Sequence, residues 1–257
     1  MDELLLISGN DIPFPRAELT IHQPTIEEIA YIGEQTFFTG VNYLNFRKNS
    51  LMLEEQEQLG SLEDFQVLMF FLGQTRDLTA LTNRASVEMV LTLMFPGHRV
   101  VFAPNGINLL NEETNSVHTI GEEEFDDFRS IVYQMFALDM AQGGKQREYD
   151  PKDALAQKIV DKIKKGREKL NQLKKGQDGQ MSSILSRYIS ILAVGEQKDI
   201  NILKKYTVYQ LFDEFHRFSL KQSFDLNIKA RLAGATDIED AEDWMGDIHS
   251  KSDDDNF

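Results

Sequence analysis

The chain has 257 residues and sets 42 Asp and Glu against 27 Lys and Arg, a formal net charge of −15. It contains no cysteine, which excludes disulfides, Cys-ligated zinc or iron–sulfur clusters and a cysteine nucleophile. No basic leader precedes the short apolar run at residues 4–7, and no stretch approaches the roughly 18 apolar residues of a membrane span. The expectation is therefore an acidic, soluble, intracellular protein without membrane insertion, whose 17 Phe can supply a core.

Residues 3–7 and 18–22 read as two short strands across a connection interrupted by Pro13 and Pro15. Thr25 and Glu28 have capping-box spacing ahead of Ile26, Ile29 and Ile32, so a helix starts there. Gly33 is a candidate interruption, and Gly40 a second break or C-cap. Phe37, Phe38, Tyr43 and Phe46 belong to short buried helices. Ser61 and Asp64 cap a helix whose apolar face includes Phe65, Leu68, Met69 and Leu72, and Asn83 starts another carrying Val87, Val90, Leu91 and Met94. Pro96-Gly97 ends it. The period then changes: residues 100–102 and 107–110 flank Ala103-Pro104-Asn105-Gly106, whose Asn-Gly is a tight-hairpin signal, and residues 117–120 add a third strand. Phe125, Phe128, Ile131, Val132, Met135 and Phe136 form the apolar stripe of the helix that covers this meander.

Gly143-Gly144 opens a hinge. Residues 152–175 then hold nine Lys or Arg and three Asp or Glu, a local balance of +6 with a thin apolar stripe. Beyond Gly179, residues 184–192 predict a helix with Gly195 as C-cap. Thr207 and Gln210 predict another that carries Leu211, Phe212, Phe215 and Phe218, and Phe224, Ile228 and Leu232 predict a third ending near Gly234. Residues 237–255 hold nine acids and one lysine. The fold class is α+β and predominantly helical, with a small antiparallel β-meander in the N-terminal half and a helical C-terminal body. The divisions are 1–142 for the mixed body, 143–181 for the hinge and basic connector, 182–235 for the helical body and 236–257 for the acidic terminal segment.

No catalytic residue, cofactor or metal is assigned. The acids at Glu122 to Asp127 sit where helix N-termini favour negative charge. The five histidines, His216 among them, are scattered without a ligand pattern, and the acids at 237–243 do not follow an EF-hand loop. Gly143-Gly144-Lys145 lacks the glycine and hydroxyl residue of a phosphate loop. The basic connector reads either as a solvated helix paired with the chain's own acidic surfaces or as a contact with a partner protein, for which Lys162, Lys165 and Lys169 are the candidates. Nucleic acid is disfavoured, because the whole chain is strongly negative and no aromatic side chains are interleaved for stacking. Tyr209, Phe212 and Phe215 are candidate partner-binding residues of the C-terminal helices. Trp244 and Met245 either dock back on the core or insert into another protein.

The segments LTIHQPTIEEIAYIGEQTFF and YQLFDEFHRFSLKQSFDLNIKARLAGATDIEDAEDWMGDIH give the chain its resemblance to tail assembly chaperones and related small tail-morphogenesis proteins of phages of Gram-positive bacteria. The resemblance implies a nonenzymatic protein of the host cytoplasm that binds the tape-measure protein or other tail proteins, with self-association left open. The length and the basic connector depart from the smaller members of that group. A structural component of the virion tail or baseplate is the second reading, and a hydrolase with a noncontiguous acidic or histidine site the third.

Overall fold

The computed structural model describes residues 2–50, 59–73, 78–138, 183–234 and 244–246. The fold is α+β: a small antiparallel sheet in the N-terminal half and a largely helical C-terminal body. The chain opens with helix α1 (Glu3–Ser8), not the strand expected there. Asp2 caps it by accepting from Leu4 N at 2.9 Å, and only Leu6 is buried, so a local cap decides what four consecutive apolar residues leave ambiguous. Strands β1 (Ile12–Phe14) and β2 (Leu19–Ile21) pair antiparallel, with Pro13 opposite Thr20. In a two-stranded ribbon each strand has an outer edge, so proline's missing N–H is tolerated.

Helix α2 (Ile26–Ile32) starts at the expected capping box. Thr25 Oγ1 accepts from Glu28 N at 3.3 Å, and Glu28 Oε2 accepts from Thr25 N at 2.7 Å. Gly33 interrupts it before α3 (Glu34–Leu44). Helix α4 (Asp64–Gly73) and helix α5 (Leu78–Met94) follow, and Pro96-Gly97 lies just past the end of α5 as expected. Asn83 is not the start of α5 but lies inside it, beyond Leu78. Gly40 neither breaks nor caps α3. It lies inside the helix, where α3 crosses α5 and passes against the Ser86 backbone.

Strands β3 (His98–Ala103), β4 (Gly106–Asn111) and β5 (Val117–Ile120) form the expected meander. The hairpin turn is one residue earlier than the Asn-Gly signal suggested. Ala103 pairs with Gly106, so Pro104 and Asn105 make the turn and Gly106 opens β4. Helix α6 (Glu122–Met135) contributes Phe125, Phe128, Val132 and Met135 to the core. Phe128 lies 6.1 Å from both Phe14 and Phe95, and Phe37 meets Phe136 edge-on at 4.9 Å. Such aromatic pairs add about 0.5–1.5 kcal/mol each beyond their burial.

The C-terminal helices are α7 (Ile184–Gly195), α8 (Ile200–Leu203) and α9 (Val208–Leu232). Residues 208–232 form one continuous helix, not the two that the sequence predicts. Gly195 is the last residue of α7 and not its C-cap, and Phe218 of α9 packs on it so closely that a Cβ would stand 2.4 Å from the ring. A single hydrophobic cluster runs from Leu6 through the meander to Leu185, Leu192, Leu203 and Phe212. Ile26 N donates to Tyr206 O at 2.9 Å and Glu27 N to Lys204 O at 2.8 Å, stitching α2 to the turn before α9. The Glu34 carboxylate accepts from Ile184 N at 2.7 Å and from the Ser183 hydroxyl, at the positive end of α7.

His22 adds a pH-sensitive clasp. Its Nδ1 lies 2.9 Å from Asp11 Oδ1 and its Nε2 3.3 Å from Glu28 Oε2. Burial acts to lower the His22 pKa, but hydrogen bonds and charge from Asp11 and Glu28 outweigh it and leave the pKa raised. A raised pKa contributes stability that is complete below the unfolded value of 6.5 and lost as pH rises through the folded one. The thermal midpoint of the native chain should therefore exceed that of His22→Gln by more at about pH 5.5 than at about pH 8.5. Equal gaps at both pH values would contradict the clasp.

Candidate protein-binding surface on the C-terminal helix

Helix α9 is fixed at its start and increasingly open toward its end. Thr207 Oγ1 accepts from Gln210 N, Gln210 Oε1 accepts from Thr207 N at 2.9 Å, and Gln210 Nε2 donates to Ile7 O at 2.8 Å. Tyr209 and Phe212 are buried in the core, and Phe215 stacks on Tyr188 with ring centroids 3.7 Å apart. These three candidate binding residues therefore hold the helix to the body. Burial, reinforced by the Glu3 and Asp213 carboxylates, holds the Tyr209 hydroxyl far above its ordinary range, so it stays protonated and donates to Glu3 Oε1.

One face of α9 carries charge. Asp213 is buried and accepts from Arg217 Nε at 3.3 Å, an i,i+4 pair. Arg217 Nη1 also donates to the carbonyl oxygens of Trp244 and Gly246, both at 3.3 Å. The Lys221 ammonium stands 5.7 Å from the Trp244 ring centroid, within cation–π range. Trp244 is thus docked in cis on α9, while its neighbour Met245 is 72% exposed. Arg217, Phe218 and Trp244 wall a cavity of about 470 Å³ with Ile7, Tyr206 and Glu214. On its rim, the Lys198 ammonium pairs with Glu214 and with Glu196 at 3.3 Å and donates to the Tyr206 hydroxyl at 3.2 Å. The second carboxylate oxygen of Glu214 is buried without a hydrogen-bond partner among the described residues.

Past residue 219 the character of α9 changes. Leu226, Ile228 and Leu232 are 65%, 42% and 83% exposed, on a helix whose opening residues are mostly buried. Scattered surface leucines need no explanation, but Ile228 and Leu232, four residues apart, share one exposed face of the far end of α9, whereas Leu226 lies on the other side of the helix.

The residues weighed for catalysis are dispersed. His216 is exposed on α9, Glu122 accepts from Gln66 Nε2, and Asp126 pairs with Arg129. Among the described residues no group of three or more His, Asp or Glu side chains is placed to hold a metal ion, and no helix is long and apolar enough to cross a membrane. Lys162, Lys165 and Lys169, with the whole connector, lie outside the described residues. Sequence reasoning missed Arg217, Lys221 and the Lys198–Glu214 pair. The i,i+4 spacing of Asp213, Arg217 and Lys221 was the available signal, but its link to Trp244 is tertiary.

Residues 174–249 match the family model described as the YomV second domain, a stretch that contains α7 to α9 and Trp244. That domain name is phage-associated, and the match covers under a third of the chain. No curated protein and no solved structure matches it.

Proposed function

We propose that the protein is a nonenzymatic tail assembly chaperone, which binds the helical tape-measure protein in the host cytoplasm and keeps it soluble until the tail forms. The observation that carries this reading is the far end of α9, where Ile228 and Leu232 stand in water on one face, and Leu226 on another, of a helix firmly rooted in the core. An amphipathic client helix laid against that end removes apolar surface from water on both partners, at roughly 25 cal/mol per Å² before the costs of association. The phage-associated match over residues 174–249 includes this helix. The connector lysines Lys162, Lys165 and Lys169 are assigned to the client's acidic flanks, adding a salt-sensitive component.

Coexpression with the tape-measure protein tests the reading. The native chain should copurify with the client and keep it in the soluble fraction. The triple variant Leu226→Gln, Ile228→Gln, Leu232→Gln should retain its thermal midpoint yet bind at least about tenfold more weakly. Unchanged client binding by the folded triple variant would remove α9 as the site. A native chain that does not bind the client but persists in mature particles would assign it instead to the tail structure.

A further inference from the structure

Helix α5 avoids charge on the side that faces water as well as on the side that faces the core. Ser86, Val87, Val90, Leu91 and Met94 are buried against the body. The opposite side is exposed and carries Leu78, Leu81, Thr82, Ala85, Met89 and Thr92, whose three-, four- and seven-residue spacings put them on one face. Leu78 is 79% exposed, Met89 44% and Leu81 42%. A surface helix is ordinarily charged there, as α6 is, with Glu122, Glu123, Asp126 and Asp127 exposed. A helix without a charged side belongs between two bodies.

What polarity α5 has is spent or marginal. Arg84 is half-buried, stands 5.3 Å over the Phe102 ring and donates to Leu72 O at 3.4 Å. Glu88 lies at the border of the exposed face. The Thr82 hydroxyl donates to Leu78 O at 2.9 Å and the Thr92 hydroxyl to Glu88 O at 2.8 Å, so both are satisfied within the helix and ask nothing polar of a partner. The net charge of −15 then decides between partners. A basic partner is drawn to acidic surface, of which this face has almost none. Two copies of the chain repel each other, and an uncharged face lets them meet without bringing like charges together. The face also matches itself. Midway between Leu78 and Thr92 lies Ala85, the smallest of its six side chains. An antiparallel crossing there brings two backbones close and sets the Leu78 end of each copy against the Thr92 end of the other.

We infer that the outer face of α5 is a homodimer contact, on which a second copy of this chain packs the same face antiparallel about a two-fold axis at Ala85. Such a contact is self-complementary and closes at two copies. One helix face per copy is small for an interface, so the dimer forms and dissociates with concentration. The inference goes beyond the chaperone reading, since two copies associate through α5 with or without a client at the end of α9.

Sedimentation equilibrium of the full chain tests it. Raising salt from about 50 mM to about 500 mM should tighten the native dimer, because screening removes the repulsion between two acidic copies. A contact held by ion pairs would loosen instead and overturn the inference. Ala85→Glu and Ala85→Arg change an exposed helix position, so the thermal midpoint should hold. Each alone sets like charges against each other on the axis and should weaken dimerisation at least about tenfold. An equimolar mixture of the two variants should dimerise again, since opposite charges then meet. Single variants that dissociate but do not pair on mixing would overturn the crossing at Ala85. A native chain still monomeric at about 100 µM in high salt would overturn the dimer, as would dimers that Ala85→Glu leaves intact. Loss of client binding by Ala85→Glu in a chain that never dimerises would give the face to the client. No client enters the sedimentation measurements, so a dimer that forms as described while the client is not bound would count against the chaperone reading alone.

Discussion

Arg129→Ala is expected to cost about 3 kcal/mol or more of folding stability, read as a lowered urea midpoint. Arg129 is only 9% exposed, and its guanidinium joins three parts of the chain. Nη1 donates to Asp64 Oδ2 at 2.7 Å and to Phe46 O at 3.2 Å, while Nη2 donates to Asp126 Oδ1 at 2.6 Å. Asp64 also accepts from Lys48 N at 2.8 Å, so one carboxylate holds the end of the loop after α3 and the start of α4. Removing the guanidinium leaves Asp64 half-buried without its hydrogen-bonded counter-charge, with only the more weakly acting charge of Arg47 nearby. That penalty, more than the lost attraction, makes the effect large. Arg129→Ala combined with Asp64→Asn should recover part of the loss, because the stranded charge goes with it.

The same pair fixes an acid limb of stability. Burial pushes the Asp64 pKa up, but the Lys48 N–H and the Arg129 guanidinium outweigh burial and hold it below 3.8. A depressed carboxyl contributes stability that is present above the unfolded value and lost as pH falls through the folded one. Below about pH 4 the native chain should thus lose stability faster than Arg129→Ala, and the gap between them should close. A gap that stays constant from about pH 7 to about pH 3 would show that Arg129 acts through packing on Phe125, whose ring centroid lies 5.6 Å away, and not through Asp64.

Local chemistry was the most readable part of this fold. Both capping boxes, at Thr25 and Thr207, form as their spacing requires, and the Phe125 to Phe136 stripe faces the core. Failures fall where a local signal has two structural solutions. Residues 4–7 are an apolar run with neither a period of two nor of 3.6, and the Asp2 cap settles them as helix. The sequence divides residues 208–232 into two helices, yet the backbone passes unbroken through Gln222 and Ser223, because such residues cost little in an exposed helix. Arg217, an ordinary surface cation by sequence, becomes the link between buried Asp213 and the carbonyls of Trp244 and Gly246. The candidates Tyr209 and Phe212 were read as an apolar face, but periodicity does not say whether such a face meets the body or a partner. The body claims the first half of α9 and leaves the far half open.

Gly40→Ala is the second substitution expected to be strongly destabilising, by about 2 kcal/mol, and its sign is the informative part. By helix propensity alone, alanine in place of an interior glycine stabilises by up to about 1 kcal/mol. Here the added Cβ would stand 2.4 Å from Ser86 O and 2.7 Å from Val90 Cγ2. The carbonyl belongs to the α5 backbone and has no rotamer to escape into, so α3 and α5 must separate. Their contact surrounds fully buried Phe37, Val41, Val87, Val90 and Leu91, and separation opens space around all of them. Gly73→Ala is the matched control: it lies at the end of α4, where an added Cβ would meet nothing within 4 Å, so propensity alone should act and stability should hold or rise. Gly195→Ala belongs between the two, since its obstacle is the tip of the half-buried Phe218 ring, which can swing aside. Urea denaturation of the three variants should rank them Gly40→Ala least stable, then Gly195→Ala, then Gly73→Ala. A Gly40→Ala chain as stable as Gly73→Ala would mean that α3 and α5 do not cross at backbone contact, and the central helix pair would need another register.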